Sequence, residues 1–103
     1  IDDSTDFDVG VRTFHVELDR TSGEKLGLSV KYPGKDKTYL PVAGITGGLI
    51  AKWNAEHASD RVRQGDMIVE VNGQGHVNEM LERFRRDQLL RLVVTRSCMD
   101  PHW

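Results

Sequence analysis

The sequence predicts a mostly β fold with two helices: a small curved antiparallel sheet, or partly open barrel, capped by one short and one long helix. Three observations predict it. Five short apolar stretches are separated by turns containing Gly, Pro or Asn. Two further stretches carry apolar residues at helical spacing. The chain has 103 residues, 38% apolar and 29% charged, which allows one domain with one core.

Ile1–Gly10 holds four Asp and little to bury, and reads as a solvated arm. The organisation expected is an acidic arm over 1–11, a folded domain over 12–96 and a tail over 97–103. Arg12–Leu18 alternates apolar and polar residues as a half-buried first strand does. A Gly-containing loop, Gly23–Leu28, leads into a second strand, Leu28–Lys31. Tyr32–Thr38 (YPGKDKT) is a hairpin connection, and Tyr39–Ile45 is the third strand, with Pro41 favouring an edge or a strand start. Leu49–Ala55 is the short helix, burying Leu49, Ile50 and Trp53. Met67–Val71 is the fourth strand and Asn72-Gly73 a turn. Val77–Arg86 is the long helix, with Val77, Met80, Leu81 and Phe84 on one stripe, and Leu89–Thr95 is the last strand. Strands joined by short loops are expected to pair antiparallel.

Several function classes are disfavoured. A net charge of −2 is a poor match for phosphate-rich nucleic acid. No apolar stretch approaches the roughly 20 residues of a membrane span, so direct insertion is not expected. His15, His57, His76, His102 and the single Cys98 have no metal-ligand spacing, and no Ser, Cys or Asp sits in a nucleophile motif. No catalytic residue, metal or cofactor is expected. Arg83, Arg85, Arg86 and Arg91 are interleaved with Glu79, Glu82 and Asp87, which reads as a solvated helix face.

Two stretches carry a specific pattern. Lys25-Leu26-Gly27-Leu28 places a glycine loop just before the second strand. Arg63–Gly73 (RQGDMIVEVNG) follows a Gly-Asp pair with an apolar strand and a Val-Asn-Gly turn. In this order and near this spacing, they resemble a PDZ domain over about Arg12–Arg96. Three departures stand out. Lys25 replaces a common Gly, Leu28 replaces a common Phe, and Gln74-Gly75-His76 is a shortened link to the helix.

The resemblance implies a non-enzymatic interaction module. A C-terminal peptide of another protein, a membrane protein or complex subunit among the candidates, would add as a strand beside the second strand. The backbone amides of Leu26, Gly27 and Leu28 would hold its carboxylate as a nest, with Lys25 adding attraction. Each such bond is worth about 1.5–3 kcal/mol, and burying the last apolar side chain contributes about as much. The peptide-binding set is Lys25, Leu26, Gly27, Leu28, Ser29, Val30, His76, Val77, Leu81 and Phe84. Two helix registers are open for selectivity. Starting from His76 turns Glu79 and Glu82 toward the core, which is costly; starting from Val77 turns Met80, Leu81 and Phe84 there. Val77 is preferred, and it implies an apolar residue third from the peptide's end. Two other roles remain open: an accessory subunit docked in a larger assembly through its ends or Trp53, and a regulatory domain of a larger enzyme. The expected setting is a soluble domain inside a cell or organelle, with attachment beside a membrane-bound complex left open.

Overall fold

The computed structural model of the chain describes residues 11–97. The acidic arm expected over 1–11 and the tail over 97–103 therefore lie almost wholly outside the described residues. Strands β1 (Val11–Asp19), β2 (Leu28–Val30), β3 (Leu40–Ile45), β4 (Met67–Val71) and β5 (Leu89–Ser97) form one sheet. Its order is β1-β5-β4-β3-β2, with every pair antiparallel. Helix α1 (Gly48–Glu56) joins β3 to β4 through a 3-10 turn at Ala58–Asp60, and α2 (Val77–Arg86) joins β4 to β5.

The alternation in β1 dictates its partner. Phe14, Val16 and Leu18 point inward and are buried, while Thr13, His15 and Glu17 face water. Opposite them in register stand Val94, Leu92 and Leu90, all buried. Three apolar cross-strand pairs thus form the floor of the core. Leu40, Val42, Ile68 and Val71 extend it, and Leu49, Ile50, Val77 and Met80 close it from the two helices.

Two sequence expectations are corrected. β1 and β2 are joined by eight residues yet lie at opposite edges of the sheet. β1 buries more by matching all nine of its residues to β5, and the connection after it is held by α1 instead. The sheet is therefore open, with β1 and β2 as its edges. The helices are also almost equal, at nine and ten residues. Pro41 sits near the start of β3, an interior strand, and its carbonyl accepts from the Lys31 amide.

The Gly-Asp and Val-Asn-Gly residues act as fasteners. Asp66 is 2% exposed. Its carboxylate accepts from the Arg63 amide at 2.8 Å and from two nitrogens of Arg96, each at 2.8 Å. This forked pair ties β5 to the turn before β4. Arg96 also reaches the Arg61 carbonyl and covers the Phe14 ring at 5.1 Å. Asn72 and Gly73 both have positive φ, 50° and 84°, as a two-residue hairpin turn requires. The Asn72 side chain then donates to Asp87 and the Leu89 carbonyl and accepts from the Arg91 amide. It pins the end of α2 to the start of β5.

Asp66→Ala removes the buried carboxylate that accepts from Arg96 and from the Arg63 amide. A loss of about 3–5 kcal/mol is expected, read by urea denaturation; a loss near zero would show that the pair is idle. A smaller effect concerns Asp19. The Thr21 hydroxyl and amide hold its carboxyl below the usual aspartate range. A lowered folded value stabilises the fold above the unfolded value, and that contribution fades as pH falls through the folded one. Carbonyl NMR titration should show Thr21→Val moving Asp19 back up.

Candidate functional site

The site is built from one loop and the helix it leans on. Three consecutive carbonyls of the loop point the same way. Lys25 accepts from the Leu49 amide at 2.9 Å, Leu26 from Ile50 at 3.1 Å and Gly27 from Thr46 at 2.8 Å. Leu49 and Ile50 lie in the first turn of α1, where amides have no partner inside the helix. Gly47 at its N-cap has no side chain to cap them. The loop is the cap.

Peptide planarity then fixes the other side. In a trans peptide the C=O of one residue and the N–H of the next point in opposite directions. With the carbonyls of Lys25 and Leu26 turned to α1 and that of Gly27 to Thr46, the amides of Leu26, Gly27 and Leu28 turn away from these partners. Among the described residues, the Leu26 and Gly27 amides donate to nothing. Leu28 faces Ile45. The neighbouring Thr46-to-Gly27 bond makes the Leu28–Ile45 pair a non-hydrogen-bonded one, so its N–H points to the open edge. By the same alternation, with Lys31 bonded to Pro41, Val30 also turns its backbone polar groups outward.

The contact also accounts for Gly27. In the fold its φ is +77°, and an added Cβ would lie 1.8 Å from the Gly47 carbonyl oxygen. The glycine permits contact with the protein's own backbone. Gly48 does the same from the other side: its φ is +61°, and its Cβ would lie 2.3 Å from the Lys25 carbonyl. The signal for this pair in the sequence is two glycines set directly before an apolar helix.

The remaining expected residues divide. Leu26, Leu28, Val30, Leu81 and Phe84 are half-buried and pack against the core, giving both β2 and α2 an apolar margin. Lys25 and Ser29 are exposed. His76 is exposed at the N-cap of α2, where its Nδ1 accepts from the Asn78 amide at 3.2 Å. Val77 begins the helix but is 0% exposed, with its amide bonded to the Lys37 carbonyl. It belongs to the core and offers no surface to a ligand, which corrects its expected role as the reading residue. Glu79 is exposed, as the Val77 register requires. Trp53 is half-buried, donates to the Asp60 carbonyl and stacks on His57 at 3.5 Å, so it serves the α1 end.

The arginines of α2 are paired: Arg85 and Arg86 with Glu82, and Arg83 with Asp87. Among the described residues no group of His, Cys, Asp or Glu could hold a metal, and no helix is long and apolar enough to cross a membrane. A cavity of about 730 Å³ lies elsewhere, on the outer sheet face between His15, Glu70, Asn72 and Arg91.

Among solved structures, the chain is similar to that of INAD PDZ45 in complex with NG2 peptide, with a TM-score of 0.63 and 19% identity. The match covers 91% of this chain and 46% of that one, so this chain spans less than half its length. No known family model matches the sequence, and no curated protein does. The structural likeness shows a PDZ-like fold.

Gly27→Ala is expected to destabilise the fold by at least about 1–3 kcal/mol, the usual cost of a strained φ, before any ligand is added. Chemical denaturation reads the loss, and amide shifts at Gly47 and Gly48 locate it. A variant as stable as the parent would contradict the close approach.

Proposed function

We propose that the chain is a protein-interaction module that binds C-terminal peptides of partner proteins by adding them as a strand to β2. The observation that carries this is the triple engagement of the Lys25, Leu26 and Gly27 carbonyls, which turns three successive amides outward at the start of an open edge strand. Such a row suits an anion and needs no cationic side chain. A terminal carboxylate is an anion that arrives already attached to a chain able to pair with β2. The INAD PDZ45 structure, of the same fold, holds a peptide.

Selectivity in this reading is apolar. Leu26 and Leu28 from the loop and Leu81 and Phe84 from α2 take the last side chain and its neighbour, in place of Val77. Lys25 adds charge beside the carboxylate. The reading involves no catalytic step. After the cost of ordering the peptide, the affinity is expected to be roughly micromolar.

Titration of ¹⁵N-labelled protein with a short peptide ending in Val tests it. Shifts are expected at the amides of Leu26, Gly27 and Leu28. Amidating the peptide's end should weaken binding about tenfold or more, since a bond to a charged acceptor is worth about 1.5–3 kcal/mol. Equal binding of the amidated peptide would overturn the proposal. So would shifts confined to the outer sheet face. Point variants at Gly27 are unsuitable, because they disturb α1 as well.

A further inference from the structure

We infer that the partner peptide carries acidic residues upstream of its apolar end, read by Lys31, Lys35 and Lys37. The inference rests on the groove reading above. Its own basis is the placement of charge. Four of the chain's five lysines, Lys25, Lys31, Lys35 and Lys37, fall before, just after and beyond β2. Asp36 is the only acidic residue between Lys25 and Ala55. All four lysines are exposed, and none forms an ion pair among the described residues. The fifth, Lys52 on α1, is paired with Glu24 at 3.1 Å. The α2 arginines are likewise ion-paired, Arg83 with Asp87 and both Arg85 and Arg86 with Glu82. Among the described residues the other cations without an ion pair, Arg20, Arg61, Arg63 and Arg91, lie outside the stretch from Lys25 to Ala55, so the β2 edge carries its four lysines with Asp36 as the sole acid of that stretch.

The geometry puts that charge on the path of an added strand. A peptide antiparallel to β2 with its carboxylate at Leu26–Leu28 runs from Leu28 toward Lys31. At about 3.3 Å per residue it reaches Lys31 after about 10 Å, so its fourth residue from the end comes beside Lys31. Residues before that lie against the β2–β3 connection. The connection is tethered there: the Lys37 amide donates to the Gly34 carbonyl, and the Lys37 carbonyl accepts from Val77 at the start of α2. An alanine-like Cβ at Gly34 would touch the stem of Lys37, at 3.7 and 3.9 Å, so that side chain folds back over the loop. Lys35 and Lys37 therefore sit where an incoming chain leaves the groove. Tyr32, 57% exposed, stands among them as an apolar neighbour. Exposed charges of this kind act on encounter rate and on choice of partner more than on total affinity.

Fluorescence anisotropy with four labelled peptides tests the inference on the whole chain. All share the same apolar last residues. Upstream they carry either Glu and Asp or Ser and Gly, and each is made with a free or an amidated end. With free ends, the acidic peptide should bind about threefold to tenfold tighter at low salt, and the advantage should vanish at high salt. Lys35→Glu with Lys37→Glu should abolish the advantage and leave the neutral peptide's affinity unchanged. Equal affinity for acidic and neutral peptides overturns the inference and leaves the groove reading standing. Free and amidated ends binding alike overturn the groove reading itself. Phosphatidylserine vesicles form a last arm. Vesicle binding lost in the double variant, with no preference among peptides, would assign the lysines to a membrane and overturn the peptide partner.

Discussion

The structure turns on a backbone-to-backbone contact: three carbonyls of the Lys25–Gly27 loop meeting the amides of Thr46, Leu49 and Ile50. The contact satisfies the start of α1, which no side chain caps. It fixes the loop as the start of β2. It also decides which polar groups remain for something else, because planar peptides cannot turn their carbonyls inward without turning the following amides out. The outward-turned row of amides is thus a by-product of capping a helix. Two glycines make the contact possible, since a Cβ on either would lie within 2.3 Å of a backbone oxygen. The loop is therefore as rigid as α1, and a rigid row of amides loses less entropy on binding than a flexible one.

The rest of the frame keeps that contact in place from a distance. Asp66 and Arg96 clamp the turn before β4 to β5, and the Asp66 carbonyl accepts from Val42 on β3. β3 in turn carries β2 on its far side and runs directly into Thr46 and α1. A disturbance at Asp66 therefore reaches the loop through β3, and through Val62, which is bonded to Asn54 of α1. Asn72 performs the matching task for α2, holding its far end through Asp87 and Leu89. A buried ion pair adds little net stability compared with apolar packing. Here it sets one geometry for the turn that an apolar pair would leave free to slide.

The sequence made the local features legible and left the long-range ones hidden. Alternation and turn residues located every strand to within about two residues, and the stripe of Val77, Met80, Leu81 and Phe84 gave α2 its limits. Asn72-Gly73 named its own turn through the left-handed preference of both residues. The pairing of β1 with β5 was not readable, because it joins the two ends of the domain and depends on which apolar faces meet. The burial of Val77 was hidden for the same reason. Its place on the helical stripe was plain, but which part of the stripe faces the core and which faces β2 depends on how α2 is docked. The shortened Gln74–His76 link brings its first residue down onto the Lys37 carbonyl. The contact that requires Gly27 was hidden, since nothing in the chain indicated that Gly47 would lie against it.

An open edge strand is a hazard as well as an opportunity, because any extended chain can pair with it. The two edges of this sheet are managed in different ways. Along β1, α1 and the 3-10 turn lie against the strand, with Arg12 bonded to Asp60 and the Ser59 carbonyl. Along β2 there is no such cover among the described residues. The strand is three residues long, is broken by a bulge between Ser29 and Val30, and is followed at once by Lys31. A short edge, a bulge and lysine are the features that keep strands from pairing indiscriminately. The charge that repels a second copy of β2, itself flanked by lysines, attracts an acidic chain. On this edge, protection against aggregation and the proposed choice of ligand rest on the same electrostatic term acting on two different strands.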